Sequence, residues 1–172
     1  LERELLPTYQ RWLNDFELLK LIDRRFRPLS ADWISTWYER STRDNQDTMI
    51  FTIWEGSTET PIGNVALQDI DYRNRTAELG IFIAETPTRG QGYGTEATKL
   101  ILDLAFRILG LQNVMLRVYD YNEPARRCYE RAGFREFGRR RQSQFMDGRF
   151  WTVIYMECLA TDFLSPQPPR DC

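Results

Sequence analysis

Residues 89–95 read Arg89-Gly90-Gln91-Gly92-Tyr93-Gly94-Thr95, between an apolar run at 79–84 and a segment of helical periodicity at 95–109. That order is a strand, a glycine turn and a helix start. Glycines at alternate positions let the backbone approach a bulky anion with no Cβ in the way, and the unbonded amides of the first helical turn point at it. A pyrophosphate-bearing cofactor is therefore expected at this loop. Two familiar nucleotide loops do not fit: a Walker A loop needs a lysine where this chain has Gly94-Thr95, and a dinucleotide loop has its third glycine one residue later.

Upstream of the loop, 6–14 and 15–21 read as short helices with Trp12, Leu13, Phe16 and Leu19 inward. Ser30 is the expected N-cap of a third helix, through Trp33, Trp37 and Tyr38 to about Ser41. Extended runs at 48–55, 62–71 and 76–84, parted by turn-rich 56–61 and 72–75, suit an antiparallel meander. Downstream, Ala97, Leu100, Ile101, Leu104, Ala105 and Ile108 predict one buried stripe, with Gly110 as the stop. A strand at 114–119 follows, then a helix at 123–132 with Pro124 in its first turn and Gly133 past its end. Strands at 134–145 and 149–159 close a hairpin across Asp147-Gly148. The sum is an α/β (α+β) fold, a mixed, mostly antiparallel sheet flanked by helices, without internal repeats. It is read as one domain over 1–162, and the proline-rich segment 163–172 as a flexible tail or swapped arm.

The 23 basic and 25 acidic residues leave a net charge of -2, so no global positive field points to nucleic acid. Arg139-Arg140-Arg141 reads as an exposed strand edge. The chain has no histidine, and Cys128, Cys158 and Cys172 lack CxxC spacing, which removes Cys/His zinc sites and histidine-based triads; no metal is expected. No signal peptide and no apolar run of about 18 residues is read in the chain, which begins at Leu1 without a methionine. The expectation is a reducing, cytoplasmic setting with no membrane partner.

Arg89, Gly92 and Gly94 match the Arg/Gln-x-x-Gly-x-Gly/Ala signature of the GNAT superfamily, the acyl-CoA-dependent N-acyltransferases. Residues 122–134 resemble that family's Asn-x-x-Ala-x-x-x-Tyr-x-x-x-Gly-Phe through Asn122, Ala125, Tyr129, Gly133 and Phe134. The stretches at 11–15 and 92–97 look like the branch of ribosomal-protein N-terminal and spermidine acetyltransferases. The resemblance spans nearly the whole chain and is strongest over 61–134. It implies a GNAT fold, acetyl-CoA as co-substrate, and a primary-amine acceptor: a polyamine, an aminoglycoside-like molecule or a protein N-terminus.

It also implies roles. The amides of Gly90, Gln91, Gly92, Tyr93, Gly94 and Thr95 would hold the pyrophosphate with Arg89 at its edge, and Ile81, Phe82 and Ile83 would pair main chain with the pantetheine arm. Tyr129 would be the general acid, since a phenol of pKa about 10 stays protonated at neutral pH; by pattern alone it belongs to the stripe Ala125, Cys128, Tyr129 and Ala132. Asn122 would bridge the cofactor arm or cap its helix. Glu78, 11 residues before Arg89, would be the base or a solvent-facing strand carboxylate, with Asp69, Asp71 and Glu85 as weaker candidates. Direct transfer is expected over a covalent route through Cys128, which has no histidine to activate it. The competing readings are a non-catalytic CoA-binding sensor or scaffold, and, compatible with either, a homodimer formed through the hairpin and tail.

Overall fold

Six strands, β1 (Met49–Glu55), β2 (Thr60–Asp71), β3 (Thr76–Ile83), β4 (Asn113–Tyr119), β5 (Arg135–Met146) and β6 (Arg149–Leu159), form one sheet in the order β1-β2-β3-β4-β6-β5. The structure is a computed structural model that describes residues 1–22, 27–43, 47–56 and 58–164. Among its strand pairs β3 and β4 run parallel and the others antiparallel, the mixed architecture expected. At the β5–β6 turn both Asp147 and Gly148 take positive φ, the backbone that a two-residue hairpin requires. The run Arg139-Arg140-Arg141 lies exposed on β5 at the sheet edge.

One face of the sheet packs on α4 (Tyr93–Asp103) and α5 (Glu123–Ala132), with Val65, Leu67, Leu79, Ile101, Leu102, Leu116, Ile154 and Met156 in the core. The other carries α1 (Leu6–Trp12), α2 (Phe16–Leu19) and α3 (Ala31–Thr42) over a second cluster, in which Tyr9, Trp12, Leu13, Leu18 and Ile34 meet Phe82 and Ala84. The caps follow the sequence: Asp15 accepts from the amides of Glu17 and Leu18, and Ser30 from that of Trp33 at 3.1 Å. Phe16, expected inward, is 59% exposed, and Leu18 takes the buried place. The short α2 begins at its Asp15 cap, so its phase is set there and does not continue from α1.

The stripe read for 97–108 also turns. Leu100 and Ile108 are 67% and 74% exposed, whereas Thr98, Leu102 and Phe106 are buried beside Ala97, Ile101 and Ala105. Apolar residues cover more than half of this helix, so periodicity could not choose between overlapping stripes. A π turn at Leu104–Ile108, with Leu109 donating to the Leu104 carbonyl at 3.0 Å, then breaks the 3.6-residue phase that placed Ile108.

The boundary drawn at Asp162 falls within α6 (Ala160–Leu164), which returns Phe163 to the core; residues 165–172 of the expected tail lie outside the described residues. Phe163 and Phe106 have ring centroids 5.5 Å apart. Phe163→Ala is expected to lower stability by about 2 kcal/mol, less than a fully buried Phe→Ala change. Urea unfolding that leaves the midpoint unchanged would remove α6 from the folded unit.

Candidate active site

The glycine loop takes the shape its sequence requires. Gly90 and Gly92 have φ of +79° and +96°, where a side chain is strained, and Gly92 is the N-cap of α4. The first intrahelical bond runs from the Glu96 amide to the Gly92 carbonyl at 3.0 Å, so the amides of Tyr93, Gly94 and Thr95 precede it. At Gly94 a Cβ would stand 3.4 Å from Cys128 Sγ, close contact at the point where α5 meets this turn. Arg89 turns back, donating from Nε to the Ile83 carbonyl at 2.9 Å and from a terminal nitrogen to that of Ala84 at 3.0 Å. It thereby fixes the loop to the end of β3. Gln91 donates to the Pro87 carbonyl at 2.7 Å, and the Tyr93 hydroxyl to Glu55 at 3.0 Å.

Beside this loop the sheet opens. β3 and β4 pair at Thr76 with Asn113, Ala77 with Val114 and Glu78 with Met115, and not beyond. Each strand continues with its other neighbour, β3 with β2 as far as Ile83 and β4 with β6 as far as Tyr119. Residues 79–83 thus have one edge without a ladder. A cavity of about 270 Å³ occupies the gap, lined by Leu79, Gly80, Ile81 and Phe82 on one side and Arg117, Val118, Tyr119 and Tyr129 on the other. Tyr129 is held there by the end of its helix. Gly133 is left-handed, its amide bonds to Glu130, the Phe134 amide bonds to the Tyr129 carbonyl at 3.0 Å, and the Phe134 ring packs edge-on against Tyr129. An open parallel edge and a phenol thus face one cavity, and the glycine loop, outside its lining, is bound by Arg89 to the end of the same strand.

Residues 1–135 match the family described as Acetyltransferase (GNAT) domain. The chain belongs to the GNAT acetyltransferases. It is 32% identical to the spermidine N(1)-acetyltransferase of Vibrio cholerae over 79% of this chain and 77% of that protein. It is also 32% identical to a putative ribosomal N-acetyltransferase of Bacillus subtilis, over 89% of this chain and 79% of that protein. The crystal structure of the Vibrio cholerae spermidine N-acetyltransferase with CoA and spermine superposes with a TM-score of 0.87 at 28% identity, covering 96% and 95% of the two chains. The protein is accordingly an N-acetyltransferase that moves an acetyl group from acetyl-CoA to an amine, on a GNAT fold of six strands flanked by helices.

Within this GNAT site the other expected residues fall unevenly. Glu78 lines the cavity at the point where the strands part and accepts from Arg117 Nε at 2.8 Å, so it is a part-exposed, ion-paired carboxylate. Asn122 caps α5, accepting from the Ala125 amide at 3.3 Å, and donates to the Leu21 carbonyl at 3.4 Å; it is not among the cavity-lining residues. Tyr121 likewise donates to the Lys20 carbonyl, and the two bonds tie the end of α2 to the turn before α5. Leu21 and Ile22 come to the cavity by that tether.

Among the weaker carboxylates, Asp69 reaches the cavity from an irregular stretch of β2. Asp71 caps the following turn, and the Asn74 amide bonded to it lowers its pKa. Glu85 accepts from Trp12 at 2.8 Å and Arg11 at 2.6 Å; burial raises its pKa, but those bonds prevail and the net shift is downward. Both make poor bases.

For Tyr129 burial raises the pKa far above that of a free phenol, and no hydrogen-bond partner for its hydroxyl is found among the described residues. Burial raises the Cys128 thiol too, despite its bond from Thr95 at 3.3 Å, which opposes thiolate chemistry. No cluster of three or more metal-ligating side chains occurs among the described residues, and no described helix is long and apolar enough to cross a membrane.

The sequence reading passed over Tyr9, Trp37, Asn64, Gln68 and Arg117, all in the cavity wall. Asn64 had a signal: it stands alone between Ile62 and Ala66 on the inward positions of a strand. Gly92→Leu strains the left-handed cap and crowds the cradle, so calorimetric titration should show acetyl-CoA affinity falling at least about tenfold with the fold intact. Unaltered affinity would place the pyrophosphate elsewhere.

Proposed function

We propose that this acetyltransferase transfers acetyl directly to a primary amine, without an acetylated enzyme. Acetyl-CoA supplies the activated acyl group as a thioester. The amides of residues 90–95 hold its pyrophosphate, and the open edge of Ile81, Phe82 and Ile83 takes the amides of its pantetheine arm as a neighbouring strand would. The observation that carries this reading is the β3–β4 opening, which turns the free edge of 79–83 toward Tyr129, with the glycine loop bound by Arg89 to the end of the same strand. The acceptor amine enters between the sheet and α1–α3, where Tyr9, Leu13 and Trp37 form the wall.

Tyr129 donates its hydroxyl hydrogen to the departing sulfur. The same burial that keeps the phenol protonated also strengthens a thiolate's hold on a proton, so donor and acceptor are matched in that environment. Glu78, directly or through water, receives the proton released from nitrogen, and Arg117 holds it in place. The C–N bond forms as the C–S bond breaks; nitrogen loses one proton and sulfur gains one. Asn122 serves by capping the helix that carries Tyr129. The spermidine and ribosomal relatives support polyamines and protein N-termini as the acceptor classes to test. A reducing, cytoplasmic setting belongs to this proposal, supported by the free thiols of Cys128 and Cys158.

Tyr129→Phe should lower kcat by roughly ten to a thousandfold, within or below the usual range for general acids, with acetyl-CoA affinity nearly unchanged. An unchanged kcat would exclude Tyr129 from proton transfer. Acetylated enzyme accumulating without acceptor would overturn direct transfer.

A further inference from the structure

We infer that Asn64 is a specificity-determining residue of the acceptor channel, and that it selects an amine carrying a neighbouring amide, the α-amine of a peptide, over an aliphatic polyamine. The inference rests on the amine-acetylation reading above and names its acceptor. Asn64 is 5% exposed, yet its Oδ1 has no hydrogen-bond partner. No partner is found for its nitrogen among the described residues either. Buried polar groups are seldom left so unless something else completes them. The neighbouring hydroxyl does not serve: Thr52, opposite Asn64 on β1, is engaged with the Tyr9 hydroxyl at 2.7 Å. On its other side Asn64 faces Phe82 of β3.

The surroundings indicate what completes it. Asn64, Ala66 and Gln68 follow one another on one face of β2, and all three line the cavity. Ala66 pairs with Gly80, a smooth floor, and Gln68 lies over Gly80, its Nε2 2.7 Å from where a Cβ would stand. Tyr9, Trp37 and Phe82 give this part of the channel an aromatic wall. The acidic residues lining the cavity, Asp69 and Glu78, lie beside the Gln68 end, and Arg117 compensates Glu78. The Asn64 end is therefore neutral among the described residues.

A polyamine reaching it would place a second ammonium there without a counter-charge among the described residues, and with only donors it would leave the Asn64 nitrogen unanswered. A peptide group offers a C=O and an N–H together, the complement of a primary amide, and carries no charge. An α-amine of pKa about 7.7 to 8.0 also needs less from a base than an alkylamine near 10.4.

The test compares kcat/KM for a short peptide with a free α-amine and for spermidine, in the parent protein, Asn64→Leu and Asn64→Asp. Leucine replaces an unsatisfied buried amide with an apolar side chain of similar size, so the fold is retained; a thermal melt and acetyl-CoA titration check this. The parent should prefer the peptide. Asn64→Leu should reduce the peptide-to-spermidine ratio at least tenfold, and Asn64→Asp should shift it further toward spermidine by supplying the missing counter-charge. A ratio that stays within twofold in both variants, or a parent that prefers spermidine, overturns the inference while leaving amine acetylation standing. A folded parent that binds acetyl-CoA but releases no CoA with any amine defeats the acetylation reading, and the inference with it.

Discussion

The parting of β3 from β4 after the Glu78–Met115 pair is the constraint on which the site depends. Two parallel strands that stayed in register would spend the main-chain groups of 79–83 on each other and close the sheet. Because each is held along its length by its other neighbour, β2 or β6, they separate without either one unravelling. The gap supplies at once an unpaired strand edge, a passage between the two faces of the sheet, and a position for a side chain from α5. The Glu78–Arg117 ion pair joins the two strands where they part.

Both helices that flank the gap are held by short-range backbone devices. Glycines at 90 and 92 set the start of α4, and the Gly133-Phe134 terminus sets the end of α5, with Tyr129 one turn inside it. Cys128 packs on Gly94, so the cradle and the helix bearing the phenol are in direct contact. A larger residue at 94 would separate them. Further off, the side chains of Tyr121 and Asn122 reach across to the carbonyls of Lys20 and Leu21 and hold the acceptor wall against the same corner.

The two faces of the sheet divide the chemistry. Under α4 and α5 lies an ordinary aliphatic core, which fixes the frame. Under α1–α3 the packing is aromatic, with Tyr9 edge-on to Trp37 at 5.7 Å and Trp12 edge-on to Phe82 at 6.0 Å, and it includes a buried amide that nothing in the described protein satisfies. An unsatisfied amide is unfavourable to the fold by about 1 to 3 kcal/mol, so packing does not account for its place.

The local devices were legible in the sequence because each depends on one residue type. Glycine alone accepts the positive φ at 90, 92 and 133, Ser30 and Asn122 cap where a side-chain acceptor must lie, and period-two apolar runs mark the strands. The matched motifs therefore marked the glycine turn before α4 and the helix that carries Tyr129. Orientation was less legible: Phe16, Leu100 and Ile108 face outward because helix phase is set by caps and a π turn that periodicity does not contain. Side-chain partners across the fold were not legible. Glu78 read as base or solvated carboxylate until Arg117, 39 positions away, was brought against it, and Asn122 is spent on capping and on Leu21. Sequence by itself determined the fold, the glycine loop and the residue types available, because these follow from local backbone and period. Only the tertiary structure decided which side chains meet in the cavity, because strands distant in the chain must first part to make it.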